Sequence, residues 1–213
     1  MDFTDFQKQV TKIKNLSLPG EESHFKMEPE IRKEWRDPEK ITKRNPKSAA
    51  VMALFYPNKN QETMLLLMLR KTYKGVHSNQ VGFPGGKVDE VDINLEATAL
   101  RETEEEVGVR REDIQVLKEL SELYIPPSNF MVQPYLGLYV KPKPFKMQES
   151  EVEALVEVSF SDVMNDDNLI HENLSTSYSK KMTVPAFKLN GYTVWGATAM
   201  ILSEIKDIFK QVL

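Results

Sequence analysis

Between Phe83 and Val109 the chain reads FPGGKVDEVDINLEATALRETEEEVGV, and the second half of this stretch admits few conformations. The spacing predicts a helix from about Ile93 to Val107, N-capped by Asp92 and stopped by Gly108 at the left-handed C′ position. On that helix Ala99, Leu100, Thr103 and Val107 fall on one side and form the expected core face. Glu102, Glu105 and Glu106 are three and four residues apart on a neighbouring arc, so three carboxylates project together. Each like-charged pair at such spacing costs roughly 0.2–0.5 kcal/mol. Glu104 to Glu106 also crowd the C-terminal turn, where the helix dipole prefers cations.

Most acidic runs are solvated faces, with acids spread along the helix or relieved by a base one turn on. Here Arg101 is the base placed to relieve Glu105, and no other precedes Gly108. A divalent cation would neutralise such a cluster, and hard oxygen ligands suit Mg²⁺ or Mn²⁺. Gly85 and Gly86, just ahead of the helix, allow backbone to approach a metal or a phosphate closely.

These residues resemble a known family. Arg101-Glu102-Thr103-Glu104-Glu105-Glu106-Val107-Gly108-Val109 matches the core of the Nudix box, with Thr103 at a position the family gives to an aliphatic residue. Counting back through the box puts its glycine at 87 and its first acid at 93, where this chain has Lys87 and Ile93. Gly86 and Asp92 stand one place earlier. That register is similar to the coenzyme A diphosphatase branch, whose boxes begin as Phe83-Pro84-Gly85-Gly86-Lys87 does here, followed by acids like Asp89 and Asp92. The branch carries a further signature upstream: Leu66, Leu67 and Arg70 match it, while Met68, Lys71, Gly75 and Asn79 depart from it. Lys71 and Lys74 are the candidates to replace its missing arginine.

The resemblance implies an α+β fold in which a mixed sheet is sandwiched between helices. It implies metal-assisted cleavage of a diphosphate in a nucleotide derivative, with coenzyme A or its thioesters favoured and cut to 3′,5′-ADP and 4′-phosphopantetheine. ADP-ribose, dinucleoside polyphosphates and nucleoside triphosphates are the alternative substrates, and a non-catalytic nucleotide sensor is the alternative role. By family pattern Glu102, Glu105 and Glu106, with Gly86, hold Mg²⁺ or Mn²⁺, and Arg101 orients the carboxylates. Nudix enzymes often take an additional acid from outside the box, and Glu151 and Glu153 are the candidates here for the base that activates water, beside Glu102 and Glu105. For the substrate the candidates are Arg70, Lys71, Lys74, His77, Phe83 and Gly85, with Arg70 foremost because its fork can hold a phosphate in two bonds. Replacing Glu105 or Glu106 by Gln is expected to leave the fold intact or slightly more stable, because repulsion is relieved.

Composition narrows the partners. A net charge of −4 leaves no basic footprint for nucleic acid. The chain has no cysteine, hence no disulfide or thiolate nucleophile, which suits a reducing, cytoplasmic setting. No run of about 18 apolar residues is present to span a membrane, and Asp2, Asp5 and Lys8 argue against a signal peptide.

In chain order, Phe3, Phe6, Val10, Ile13 and Leu16 predict an amphipathic helix over about Asp2–Asn15. Residues 21–48 read as an irregular polar arm or a short helix packed on the domain, covering a sheet edge or helping to form a homodimer, with 1–48 an N-terminal helical extension and 49–213 the hydrolase domain. Ala49–Tyr56 and Met64–Leu69 predict a buried strand and its hairpin partner. Ile114–Tyr124, Met131–Val140 and Val152–Val158 read as further strands. Asn165–Lys181 reads as a long loop or short helix. Val184–Lys188 and Thr193–Trp195 form a hairpin turning at Asn190-Gly191, and a closing helix covers about Ala197–Val212.

Overall fold

Two buried strands organise the molecule, β1 (Lys47–Pro57) and its antiparallel partner β2 (Thr63–Arg70). Their continuous apolar sequence has a simple cause: both faces of the sheet are covered. On one face Ala53, Phe55, Leu65 and Leu67 join one core. On the other, Met52, Leu54, Leu66 and Met68 join a second. Side chains alternate across a strand, so a two-faced core requires every position to be apolar.

The computed structural model describes residues 1–71, 80–176 and 179–213. Among these, helix α1 (Phe3–Ile13), short helices α2 (Glu21–Lys26) and α3 (Pro38–Lys43) and a 3-10 turn over Glu30–Trp35 precede β1. After β2 come the short strands β3 (Val81–Gly82) and β4 (Gly85–Lys87), then helix α4 (Leu95–Val107). Strands β5 (Gln115–Glu119), β6 (Leu123–Ile125), β7 (Phe130–Leu138) and β8 (Val152–Ser159) follow. Helix α5 (Phe160–Met164) leads to β9 (Leu169–Thr176), β10 (Ser179–Leu189), β11 (Tyr192–Trp195) and the closing helix α6 (Gly196–Lys210). The main sheet runs β3-β2-β1-β7-β5, with β4 on β1, β6 on β7 and β8 on β2. It is mixed because β7 pairs parallel to β1 from Lys47↔Phe130 to Phe55↔Leu138. Strands β9, β10 and β11 form a separate antiparallel sheet.

Helix α4 packs on the second face, against β1 and β4. Helices α1 and α6 close the first face. There Phe6 sits 4.8 Å from Phe55, 4.9 Å from Phe160 and 4.9 Å from Phe209, ring centre to ring centre. The first helix therefore enters the same core as the strands. Helix α2 is tied to α6 by buried polar contacts: His24 Nε2 lies 3.3 Å from a Glu204 carboxylate oxygen, which also accepts the Ser121 amide. Burial alone would raise the Glu204 carboxyl, and these hydrogen bonds more than reverse it, holding it below its usual value. No described helix is long and apolar enough to cross a membrane.

Three sequence expectations are corrected. Helix α4 starts at Leu95, not Ile93, and its cap is Asn94, whose side chain accepts the Ala97 amide at 2.8 Å. Asp92 is committed elsewhere. The stretch expected as one strand over Ile114–Tyr124 is broken at Leu120, which contributes to the core, into β5 and β6. The stretch 165–181, expected as a loop or short helix, has a short 3-10 helix over Asp166–Asn168, but Leu169–Thr176 forms β9 and β10 starts at Ser179. Their polar sequence hid a sheet whose pairing runs from Leu169↔Phe187 outward. The turn at Asn190-Gly191 is as expected, with positive φ at both residues and Leu189 paired to Tyr192.

Candidate active site

The site forms where the C-terminal half of α4, from Arg101 to Glu106, meets the Gly85-Gly86 turn of β4. Arg101 lies on the buried side of α4 and collects the acids around it. Its Nε and one Nη each donate to Asp92 at 2.9 Å, and its other Nη donates to Glu102 at 2.8 Å and Glu105 at 3.0 Å. The Lys87 carbonyl takes a further bond at 3.1 Å. One guanidinium thus fixes two helix carboxylates and ties the approach loop to the helix. Asp92 was read from sequence as a cap, and its true partner lies nine residues on; the bidentate match of carboxylate to arginine is the physical reason.

Glu106 is almost fully buried, with Oε2 accepting the Gly85 amide at 2.7 Å and Oε1 facing Arg70 Nη1 at 3.0 Å. Burial pushes its carboxyl up to about 7; Arg70 and the Gly85 amide oppose that rise, while the charges of Glu102 and Glu151 add to it. Glu102 is raised as well, again chiefly by burial. Glu105 is half exposed. Thr103, at the aliphatic position, is buried with its hydroxyl satisfied by the Ala99 carbonyl at 2.6 Å, so it packs as a valine would. Gly108 caps the helix at φ +73°, and Glu104 finds Arg111 at 2.7 Å beyond the helix end.

The glycines are shaped by these carboxylates. A Cβ on Gly85, at φ +147°, would meet the Ala50 carbonyl oxygen at 2.3 Å; one on Gly86 would meet the Glu102 carboxyl at 2.5 Å. These two obstacles differ, because one is backbone and the other the end of a flexible side chain. Gly86→Ala is therefore expected to fold with a melting temperature within a few degrees of the parent while displacing Glu102 and lowering turnover about 100-fold or more. Parent-like turnover in a folded Gly86→Ala protein would show that the Glu102 position does not matter.

The other sequence candidates are placed as follows. Arg70 faces Glu106 and donates to the Gly85 carbonyl at 2.6 Å, so its fork is largely engaged with the turn. Lys71 donates through Nζ to the Glu149 carbonyl, and its amide donates to that of Glu151 at 2.9 Å. Glu151 is exposed, close enough for its charge to raise both Glu102 and Glu106, whereas Glu153 lies two residues on, exposed along β8. Phe83 is buried in the first core. Lys74 and His77 lie outside the described residues.

A cavity of about 430 Å³ opens against this turn. Gly85, Gly86 and Arg70 line it together with the aromatic side chains of Trp35, Phe130 and Trp195. Sequence reading missed this contribution from the first 48 residues. Only the contacts that carry Trp35 to Tyr124 and Arg44 to the Pro126 carbonyl bring it into view.

The profile of the NUDIX domain matches residues 46–177. The chain belongs to the Nudix hydrolase family. A curated relative from Yersinia pestis (strain Pestoides F), an uncharacterized Nudix hydrolase named NudL, is 33% identical over 153 residues, covering 68% of this chain and 71% of its own. The NudL of Yersinia pseudotuberculosis serotype O:1b (strain IP 31758) aligns equally well. Among solved structures, the Nudix hydrolase RenU from M. smegmatis superposes with a TM-score of 0.55 at 15% identity, covering 79% of this chain and 88% of that one, which establishes the shared fold. As a Nudix hydrolase the protein is a pyrophosphohydrolase, and enzymes of this family generally use divalent cations such as Mg²⁺ or Mn²⁺.

The residues present fit such an ion. Glu106 is a buried carboxylate and Glu102 a partly buried one, each raised in part by other acids nearby, and a hard cation would relieve both. Among the described residues no three acidic or histidine side chains yet stand in a closed metal-holding array. Arg101 and Arg70 meanwhile hold the acids of this Nudix hydrolase in place.

Proposed function

We propose that this Nudix hydrolase cleaves the diphosphate of coenzyme A or its thioesters to 3′,5′-ADP and 4′-phosphopantetheine. The observation that carries the reading is the cavity at the Gly85-Gly86 turn. The charged residues among its described lining are Arg32, Arg44, Arg70, Lys87 and Glu34, a cationic set on a chain whose net charge is −4. An anionic ligand suits that lining, and about 430 Å³ lies within the usual range for small-molecule sites. The FPGGK sequence from Phe83 to Lys87 supports the coenzyme A branch.

In this reading Glu102, Glu105 and Glu106 hold Mg²⁺ or Mn²⁺, with backbone at Gly86 beside them. Once bound, the cation would lower the pKa of water and neutralise charge on the phosphates. Arg101 keeps Glu102 and Glu105 aimed, since it donates to both. Arg70 steadies Glu106 and the Gly85 carbonyl, which leaves the glycine turn open to a phosphate. Glu151 or Glu105, the exposed carboxylates of the cluster, takes the proton from the attacking water. Glu153 is the further candidate for that base, and Lys71 the neighbouring cation for a substrate phosphate.

Incubation of the purified protein with Mg²⁺ and separate samples of coenzyme A, ADP-ribose and diadenosine polyphosphates tests the assignment. Release of 3′,5′-ADP from coenzyme A at the highest kcat/KM of the panel is expected, with loss of activity in EDTA. Preferred cleavage of ADP-ribose or a dinucleotide overturns the substrate, and tight binding without cleavage of any compound makes the protein a sensor.

A further inference from the structure

We propose that Arg44, held by Trp35, recognises an anionic group of the substrate outside the scissile diphosphate, so the segment before the family domain helps set specificity. This rests on the reading of the cavity as the substrate site. Both residues line that cavity, and both precede residue 46, where the family match begins.

Arg44 is built into place. It caps the C-terminal end of α3, and its carbonyl accepts the Asn129 amide group at 3.0 Å. Asn129 is itself fixed by the Tyr124 hydroxyl at 2.9 Å. The guanidinium then lies 4.7 Å from the Trp35 ring centre and 5.9 Å from that of Tyr124, and one Nη donates to the Pro126 carbonyl at 3.2 Å. Aromatic faces and a single carbonyl orient a guanidinium without neutralising it. Among the described residues no carboxylate lies within ion-pair distance of Arg44. Arg70, by contrast, already has Glu106. Of the four cations in the cavity lining, Arg70 is spent on the catalytic turn and Arg32 donates to the Tyr124 carbonyl, whereas Arg44 is oriented by aromatic faces with donors to spare.

A phosphate is the anion this fork fits best, because two parallel N–H donors match two of its oxygens. In a coenzyme A substrate the phosphate outside the diphosphate is the one on the ribose 3′ position. Arg44 is thus assigned the 3′-phosphate, and Trp35 acts as a positioning residue that fixes the guanidinium plane.

Calorimetric titration of the full chain with 3′,5′-ADP and with 5′-AMP, at low and at physiological salt, tests this apart from catalysis. The parent protein is expected to bind 3′,5′-ADP about tenfold or more tighter than 5′-AMP, as a charge-assisted pair of bonds supplies. Arg44→Gln should erase that preference, so that the two nucleotides bind alike; the side chain is exposed, so the variant folds. Trp35→Ala should erase most of it, and Trp35→Phe, which keeps an aromatic face, should restore it. Arg44→Gln binding with the parent's preference, or a parent protein that shows none, overturns the assignment. Failure to cleave coenzyme A by a protein that keeps the Arg44-dependent preference overturns the substrate reading alone.

Discussion

Glu106→Gln is expected to lower kcat/KM by about 100-fold or more, because a buried carboxylate of the metal-binding cluster becomes a neutral amide. Judged from sequence spacing, this change should relieve repulsion and slightly stabilise the fold. The structure gives Glu106 two committed partners, the Gly85 amide and Arg70, and its side chain is 2% exposed. Gln retains an acceptor for the amide and leaves Arg70 short of its counter-charge, a loss of about 1–3 kcal/mol. At about 2–4 °C per kcal/mol for a chain of this length, melting should fall by roughly 2–12 °C. Glu105→Gln is the control: that side chain is 52% exposed, so its stability should change by no more than about 0.5 kcal/mol. Thermal melts and Mg²⁺-dependent turnover of both variants decide the matter. A Glu106→Gln protein with parent-like turnover would remove Glu106 from the catalytic set.

Asp92→Asn should produce the largest loss of stability. Asp92 and Arg101 form a bidentate pair whose side chains are 2% and 9% exposed, and removing one partner of a buried pair costs about 3–5 kcal/mol. Melting should therefore drop by roughly 6–20 °C. The pH dependence has a definite sign. Hydrogen bonds from Arg101 hold the Asp92 carboxyl well below the usual carboxylate range, so its folded value lies under its unfolded one. Its stabilisation is then complete above the ordinary aspartate value of about 4 and is lost as pH falls through the folded value. Melts recorded from acid to neutral pH should show the variant losing less than the parent on the acid side. Turnover should fall too, since Arg101 freed from Asp92 no longer presents one fixed Nη to Glu102 and Glu105. Melting within 2 °C of the parent at neutral pH would mean the pair contributes little.

Much of the architecture was legible from local pattern. The unbroken apolar run of β1 announced a strand covered on both faces, and the two cores on either side of it are the reason. Gly108 announced its left-handed cap, and Asn190-Gly191 its turn, because each needs a backbone conformation few residues accept. The hairpin of β9 and β10 was illegible. Its polar residues make one half-exposed sheet, where pairing partners decide the conformation more than composition does.

Chain order alone determined that Glu102, Glu105 and Glu106 share one side of a helix, because 3.6 residues per turn is a local property. Tertiary structure decided what each carboxylate became. Glu106 was buried against Arg70 from 36 positions away, Glu102 was set against Gly86, and Glu105 was left half in water. It also brought Trp35 and Arg44 into the lining of the cavity. Helical periodicity carries no information about contacts between distant segments; those follow from how two apolar cores are filled and from which buried charges find partners.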